Sequence, residues 1–351
     1  MGKYFFMLFA ACVAVYVPAS LFVFSRYATP IKISGFVLLL LIAFKWLIYM
    51  FFDHGTGINY TLMLVFESLF NAFLCCFIFL FLTDLTHLAL HHLHPVSWNW
   101  QKIKWFFCAI SLLIGIYGTL EANKIPDVKE IVIEIPNLPK SLNGFSVIQL
   151  SDLHLQKNMG NEWIKSIVEK ANSENPDLIV ITGDTGDGNP DEIAALEELS
   201  KLKAKYGTYA ISGNHETYSG YEQWISAIEN LGIKTLENRK ENITDALDLY
   251  GVADPMPIFD KKDKDKIRIG LAHRPNVAKT LAEHADFVMA GHTHGGQIFF
   301  MKPFVAKSNI GMSKGLYDNI FVSSGTGLWR GFMFRLGIDP EINLFILKNK
   351  E

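Results

Sequence analysis

Seven side chains of metal-binding types stand just after apolar, strand-length runs between residues 145 and 294. They supply carboxylate oxygens, imidazole nitrogens and one amide, and they are Asp152, His154, Asp184, Asn214, His273, His292 and His294. This mixture suits borderline-hard divalent ions such as manganese, iron or zinc. Seven donors are too many for one such ion and suit two, with a carboxylate such as that of Asp184 able to bridge both. The residue types therefore predict a two-metal site.

The spacing of these residues supports the same interpretation. In the Asp-x-His motif at 152–154 and the His-x-His motif at 292–294, an extended segment would direct both side chains of a pair to one side. Taken singly, Gly183-Asp184 is typical of a turn, and the Gly-Asn-His-Glu motif at 213–216 is typical of a turn with a helix start. Alternating histidines among glycines are not required by a loop. The conjunction of five such strand ends favours a site over five unrelated turns.

The elements that would position these residues alternate in the manner of an α/β domain. Helical periodicity is present near Glu162–Ala171, Asp191–Lys203, Tyr221–Leu231 and Asn276–Glu283. The predicted strands are Glu130–Ile135, Phe145–Leu150, Leu178–Thr182, Gly207–Ser212, Asp248–Val252, Ile267–Ala272, Phe287–Ala290, Ile320–Ser323 and Ile342–Leu347. In open α/β sheets, ligands gather at the carboxyl ends of the strands, which is where the seven residues stand.

The ordered motifs resemble those of the calcineurin-like metallophosphoesterase family over about residues 144–350. The closing run at 339–342 resembles the membrane-anchored branch of that family. The resemblance implies a four-layer αββα sandwich with a two-metal centre at the strand ends. It implies that Asp152, His154 and His294 hold one ion. By the same resemblance, Asn214, His273 and His292 hold the other ion, Asp184 bridges the two, and His215 assists the leaving group.

The resulting hypothesis is hydrolysis of a phosphate ester or diphosphate by a hydroxide that bridges two metals. His215 would act as a general acid, with Glu216 and Asp187 as neighbours able to raise its pKa. Arg274, Arg330 and Arg335 are candidates to contact a substrate anion, with surface or interface charges as the alternative. The aromatic stretch at 325–334 would dip into a membrane, shape a lipid-accepting groove or form a core strand.

Composition divides the chain into two parts. Hydrophobic residues make up 50% of the 351 residues, yet only nine Asp, Glu, Lys or Arg fall in residues 1–120. This excludes a disordered chain and a single soluble globule. The predicted domains are a transmembrane region at 1–120, a linker and first strand at 121–143, and a metallophosphoesterase domain at 144–351. The predicted membrane spans are Tyr4–Phe24, Ile31–Phe52, Tyr60–Leu82 and Ile103–Leu120.

Details of the apolar third give further expectations. The first span is kept as an anchor rather than a signal peptide, because its apolar run is long. Basic residues slightly favour an extracytoplasmic catalytic domain on a multi-pass cell-membrane protein. Lys45 and Glu67 are expected to pair at similar depth, in preference to a transport role. The histidines at 87–94 are expected to be interfacial, with a metal or haem ligand set of Asp84, His87 and His91 as the alternative.

The predicted function is therefore a membrane-anchored, dimetal phosphoesterase acting on a phosphorylated small molecule or lipid. One alternative is a lipid-precursor pyrophosphohydrolase of the UDP-diacylglucosamine type. Another is a non-catalytic membrane protein that senses metal or phosphate. The acidic excess of residues 121–351 argues against a nucleic-acid partner. All four cysteines lie in residues 1–120, so no thiolate joins the site. Substrate, native metals and oligomeric state stay open.

Overall fold

The computed structural model describes residues 2–23, 25–45, 59–93, 98–157, 159–329 and 332–350. It divides into two compact units, Met1–Leu120 and Glu121–Glu351. Its first unit includes, among the residues described, α1 (Gly2–Pro18), which continues into a π-helical turn, α2 (Thr29–Ala43), α3 (Tyr60–Leu93) and α4 (Trp100–Ala122).

Within the described residues, α3 and α4 are the helices long and apolar enough to cross a membrane, over Tyr60–His91 and Trp100–Ala122. Two shorter apolar helical stretches, Ala10–Val23 and Thr29–Ala43, precede them. Four spans were expected; two candidates are found, and they correspond to the third and fourth predictions. The end of the predicted second span, at 46–52, lies outside the described residues.

The predicted pairing of Lys45 with Glu67 is confirmed. The Lys45 Nζ atom lies 2.6 Å from Glu67 Oε2, and both side chains are buried. Opposite charges at this distance remove much of the cost of keeping either one away from water.

Asp84 has partners that do not include the neighbouring histidines. Its carboxylate accepts hydrogen bonds from Tyr16 and Ser20 at 2.7 and 2.6 Å, and it lies 2.6 Å from Lys104 Nζ. His87 stacks on Trp100, with ring centroids 4.5 Å apart. Among the described residues, no potential metal-binding group includes Asp84, His87 or His91. His94 lies outside the described residues.

The second unit is built on two six-stranded mixed sheets. Its strands are β1 (Val128–Ile135), β2 (Ser146–Leu150), β3 (Leu178–Thr182), β4 (Thr208–Ile211), β5 (Lys234–Thr235), β6 (Arg239–Thr244), β7 (Leu247–Gly251), β8 (Ile267–Leu271), β9 (Phe287–Ala290), β10 (Gly315–Tyr317), β11 (Ile320–Val322) and β12 (Ile342–Asn349). The first sheet has the order β1-β12-β2-β3-β4-β5, and the second β10-β11-β9-β8-β7-β6.

Alternation along the strands builds the layers. In β3, Leu178 and Val180 enter a core shared with the second sheet, whereas Ile179 and Ile181 enter a core beneath helices. All five residues of β3 are buried, as expected when both faces of a parallel strand are covered. Helix α5 (Asn161–Ser173) covers the first sheet with an apolar stripe of helical spacing, Ile164, Ile167, Val168 and Ala171.

The second sheet is covered in the same way. Helix α8 (Pro275–Leu281) buries Ala278 and Leu281 in a core with Val288 and Ala290 of β9. Helices α6 (Asn214–Ser219) and α7 (Tyr221–Asn230) follow β4, and α9 (Lys302–Ser308) follows β9. The molecule therefore has the mixed-sheet α/β sandwich that the sequence predicts.

The differences from prediction lie at edges and short helices. Strands β5, β6 and β10 were not predicted; β6 is a polar edge strand, so it lacks an apolar signal. The predicted helix at 191–203 is instead two 3₁₀ segments, Pro190–Glu192 and Ala194–Lys201. Strand β1 pairs in parallel with β12, so part of 121–143 belongs to the first sheet.

Candidate metal centre and active site

The loops that follow five strands of the sandwich bring the seven predicted residues together. Strands β2, β3 and β4 run parallel in the first sheet, and β8 and β9 run parallel in the second. Their carboxyl ends therefore meet at one edge of each sheet. The seven residues follow these ends and are, in chain order, Asp152, His154, Asp184, Asn214, His273, His292 and His294.

The donors form two groups, and a third group of His154, Asp184 and His215 overlaps both of them. Asp152, His154 and His294 offer ligand atoms that all lie within 4.8 Å of one another, and Asp184, His273 and His292 do the same. Asn214 joins the second group, with its Oδ1 3.2 Å from His273 Nε2. Asp184 Oδ2 lies 3.7 Å from His154 Nε2 and 3.2 Å from His273 Nε2, so this carboxylate stands between the groups.

Left-handed backbone, and not extended backbone, aims these side chains. Five of the seven residues have positive φ: Asp152 (52°), His154 (48°), Asp184 (50°), His292 (72°) and His294 (48°). The expectation that each x-spaced pair lies on an extended segment is therefore wrong. A left-handed turn after a strand folds the next side chain back over the strand end. Such conformations cost energy for non-glycine residues and cluster at functional sites.

Neighbouring groups orient the imidazoles. The Nδ1 of His273 lies 3.0 Å from the Thr182 carbonyl oxygen and donates to it, so Nε2 is the nitrogen that faces Asn214 and Asp184. The Nδ1 of His154 lies 3.1 Å from Asp187 Oδ1, which again turns Nε2 toward the cluster. Holding one nitrogen in a hydrogen bond fixes the tautomer and aims the other nitrogen inward.

Asp152 is fixed by hydrogen bonds that it accepts from its surroundings. The Ser151 hydroxyl donates to Oδ2 at 2.5 Å. The backbone N–H of His292 donates to the same carboxylate, at 3.0 Å to Oδ1 and 3.2 Å to Oδ2. These contacts join the β2 loop of one sheet to the β9 loop of the other.

The donor set fits a pair of divalent cations. The Nε2 atoms of His154 and His294 lie 3.3 Å apart, and His273 Nε2 lies 3.2 Å from His292 Nδ1. Two atoms each about 2.1 Å from one ion are separated by about 3.0 to 3.4 Å, depending on the coordination angle. The observed separations match the edges of such a polyhedron. Oxygen and nitrogen donors with no thiolate suit manganese, iron or zinc.

The electrostatics of the cluster also favour bound positive charge. Burial opposes the charge on His154, but the carboxylates around it, led by Asp187, outweigh burial and raise the pKa of His154 to about 9. Asp184 and Asp152 likewise overcome burial and raise the pKa of His273 to about 10. Burial and the charge of His273 lower the pKa of His292 to about 3. The carboxylates therefore attract positive charge into a buried site.

His215 stands at the rim of the cluster with Asp187 behind it. Its Nδ1 lies 2.5 Å from Asp187 Oδ1, and its Nε2 lies 4.0 Å from Asp184 Oδ2. The side chain is partly exposed, whereas those of His154 and His273 are buried. The ring is therefore held on one side and open toward the site on the other.

Glu216 does not contact the His215 ring, contrary to the expectation that it would adjust its pKa. Its buried carboxylate accepts backbone N–H bonds from Asp184, Thr185 and Gly213 at 3.1, 2.5 and 2.7 Å. It thereby fixes the β3 loop against the start of α6. Asp187 is the neighbour that faces the imidazole.

The arginine candidates divide between pairing and support. Arg274 Nε donates to Asp254 Oδ2 at 2.5 Å and is partly exposed. Arg335 is fully buried, and its guanidinium donates to the carbonyl oxygens of Ser324 and Gly327 at 2.8 and 2.9 Å. It therefore supports the loop after β11 and does not reach solvent to bind substrate. Arg330 lies outside the described residues.

Two aromatic residues beside His215 were not singled out for the site. The rings of Tyr218 and Trp329 lie 5.6 and 6.2 Å from the imidazole, and both side chains are exposed. The rest of the stretch at 325–334 is largely interior, since Leu328, Met333 and Phe334 are buried. No sequence signal places Tyr218 there, because an exposed tyrosine on a short helix is common. Ser151 directly precedes the predicted ligand Asp152, and Asp187 was expected as a neighbour of His215.

Comparison with known proteins bears on the same residues. The family model described as calcineurin-like phosphoesterase matches residues 145–296, which include all seven donors and His215. An uncharacterized metallophosphoesterase of Campylobacter jejuni is 35% identical over 259 residues, 67% of each chain. A transmembrane protein with metallophosphoesterase domain from Danio rerio is 32% identical over 276 residues, 68% of this chain and 61% of that protein.

A third relative is nearly confined to the matched region. An uncharacterized metallophosphoesterase of Aquifex aeolicus is 29% identical over 260 residues, which are 69% of this chain and 98% of that protein. The sandwich, the ordered motifs and these relatives agree, and the chain belongs to the calcineurin-like metallophosphoesterase family.

Proposed function

We propose that this protein is a metal-dependent phosphoesterase that hydrolyses phosphate ester or diphosphate bonds with two divalent cations. The observation that carries the proposal is the convergence of seven buried or half-buried oxygen and nitrogen donors. Within that cluster imidazole nitrogens face each other at 3.2 and 3.3 Å. A protein interior does not hold such atoms face to face without a cation or a proton between them.

The proposed ligand assignment follows the two groups. Asp152, His154 and His294 hold one cation. The other is held by Asn214, His273 and His292, and Asp184 is shared by both. When bound, the cations supply a hydroxide nucleophile near neutral pH and offset charge on the phosphoryl oxygens. The left-handed turns, the hydrogen bond that Ser151 donates, and those that the Thr182 carbonyl and the Asp187 carboxylate accept hold the donors in place beforehand.

His215 is the proposed general acid. Its Nδ1–H donates to Asp187, which holds the ring in place, and its Nε2–H protonates the leaving oxygen. The open face of the ring, bordered by Tyr218 and Trp329, is the side from which a leaving group approaches. A protein that only binds metal or phosphate has no need of an acid in this position.

The test is a hydrolysis screen with detergent-purified full-length protein. Nucleotides, glycerophosphodiesters and lipid-linked diphosphates would each be offered with manganese, iron or zinc restored. We expect hydrolysis of at least one class, lost on chelation and regained with metal. Preference for the lipid-linked diphosphate would favour the pyrophosphohydrolase alternative. No hydrolysis of any class with metal bound would leave the non-catalytic sensor.

We also propose three regions: a multi-pass membrane anchor within residues 1–120, a linker and first strand at 121–143, and a catalytic domain at 144–351. We propose that the catalytic domain is extracytoplasmic. Two helices long and apolar enough to span, and relatives named transmembrane proteins, support the anchor. Protease added to intact cells should digest the catalytic domain. Digestion only after the cells are broken open would show that the catalytic domain lies on the cytoplasmic side.

A further inference from the structure

A short segment beside the metal centre exposes several apolar side chains. All six residues from Phe299 to Phe304 are exposed, and five of them are apolar. The 3₁₀ turn Phe299–Met301 and helix α9 contain no buried residue. We call residues 299–304 the apolar segment. A soluble surface seldom carries consecutive exposed aromatics unless they meet a partner.

The charge around the apolar segment has one sign. Residues 298–317 contain Lys302, Lys307 and Lys314 and no Asp or Glu, although residues 121–351 as a whole are acidic. Lys314 is held by Glu341 at 2.9 Å, whereas Lys302 and Lys307 are exposed. Aromatic side chains with lysines next to them are the composition of a surface that enters the headgroup region of an anionic bilayer.

The apolar segment is fixed to the rim of the site. The backbone N–H of Phe299 donates to the Leu336 carbonyl oxygen at 2.9 Å, and the N–H of Leu336 donates to Gln297 at 2.9 Å. The start of α9 packs against the glycine turn at 295–296, directly after the ligand His294. The segment therefore projects from a hydrogen-bonded base that also carries a metal ligand.

We propose that the apolar segment is a docking surface for an anionic lipid membrane. Phe299, Phe300 and Phe304 enter the headgroup boundary, while Lys302 and Lys307 bind lipid phosphates at its surface. Docking would present the rim of the metal centre to the membrane surface. This surface differs from the stretch at 325–334, whose side chains are mostly interior. Two helices of the same chain are long and apolar enough to span a bilayer, so this protein would meet lipid.

The test is photo-crosslinking of the full-length protein in vesicles. A benzophenone amino acid replaces Phe304, and the protein is incorporated into vesicles of phosphatidylcholine and phosphatidylglycerol in equal parts. Illumination should attach phospholipid to position 304, detected by mass spectrometry of that peptide. The matched control is position 256. Met256 is 76% exposed against 65% for Phe304, but it lies between Asp254 and Asp260.

We expect the lipid adduct at 304 to exceed that at 256 several-fold. Vesicles of phosphatidylcholine alone, or the double variant Lys302→Gln with Lys307→Gln, should lower it several-fold. Equal adducts at 304 and 256 would overturn the proposal. So would an adduct at 304 that joins two protein chains, because the occupant would then be a second copy.

A second readout separates this inference from the proposed function. Hydrolysis of a water-soluble phosphodiester is measured in the same samples. Asp184→Asn should lose that hydrolysis and keep the lipid adduct at 304, whereas the double lysine variant should keep the hydrolysis and lose the adduct. Absence of hydrolysis in the unaltered protein would contradict the proposed function and leave the docking result standing.

Discussion

Buried charge is organised in opposite ways in the helical unit and in the sandwich. In the helical unit, the ammonium of Lys45 meets the carboxylate of Glu67 at 2.6 Å, so the pair neutralises itself. At the metal centre, like atoms meet: His154 and His294 face each other through Nε2 at 3.3 Å. The first arrangement is complete as it stands. The second brings two like atoms together and needs a proton or a cation between them, so the two units use buried polar residues differently.

The same contrast exists inside the sandwich. Glu341 is buried, and its carboxylate lies 2.9 Å from Lys314 and 3.2 Å from Lys129. The Ser324 backbone N–H also donates to it at 2.8 Å. Glu341 is thus a partnered charge like Glu67. Burial by itself therefore does not mark a ligand.

The largest effect is expected for the substitution Asp184→Asn at the metal centre. Loss of the shared carboxylate should reduce hydrolysis about a thousandfold or more, because several kcal/mol of transition-state stabilisation depend on the cations. Metal content, measured by inductively coupled plasma mass spectrometry, should fall as well. The matched control is Asp248→Asn, another buried aspartate of the sandwich, which should keep its metal. Full activity with metal bound in Asp184→Asn would falsify the ligand assignment.

In the helical unit the corresponding change is Lys45→Met. Leaving Glu67 without its cation should lower the free energy of unfolding by about 3–5 kcal/mol, because a buried charge then has no counter-ion. Thermal unfolding in detergent measures this. The double variant Lys45→Met with Glu67→Met should recover most of the loss. If the double variant is no more stable than the single one, the loss does not come from an uncompensated charge on Glu67.

His215→Ala tests the acid separately from the cations. Turnover should fall about a hundredfold, since general acid catalysis contributes on that order, while metal content stays unchanged. His284→Ala is the control, a histidine of the same sandwich outside the cluster. A variant that loses metal together with activity would show that His215 acts as a ligand and not as the acid.

The smallest effect concerns pH and Glu341. Burial opposes its ionisation, but Lys314 and Lys129 outweigh burial and hold the pKa of Glu341 below its usual value. A lowered carboxyl pKa adds stability above the unfolded pKa of about 4.3, and that stability is lost as pH falls through the folded pKa. Glu341→Gln should therefore cost about 1–2 kcal/mol near pH 7 and progressively less below pH 4. A constant difference at all pH values would contradict this assignment. Denaturant titrations at several pH values measure it.

Sequence patterns predicted the parts of the fold with strong apolar runs. Strands β3 and β9 have the predicted bounds, because each is buried on both faces and is preceded by an aspartate and followed by a glycine. The edge strand β6 was missed because one face of it meets water. The left-handed backbone at Asp152 and His294 was also missed, since φ depends on how a loop is held by the opposite sheet.

Which potential metal ligands are present follows from the amino-acid sequence: oxygen and nitrogen donors come after apolar strands in a fixed order, and the cysteines lie in residues 1–120. Tertiary structure alone decided what each atom is for. Glu216 supports backbone, Arg335 is buried against carbonyl oxygens, and Asp187 faces both His154 and His215. The reason is physical: residue type fixes what a group can bind, whereas distance and burial, which join residues far apart in the chain, fix what it does bind.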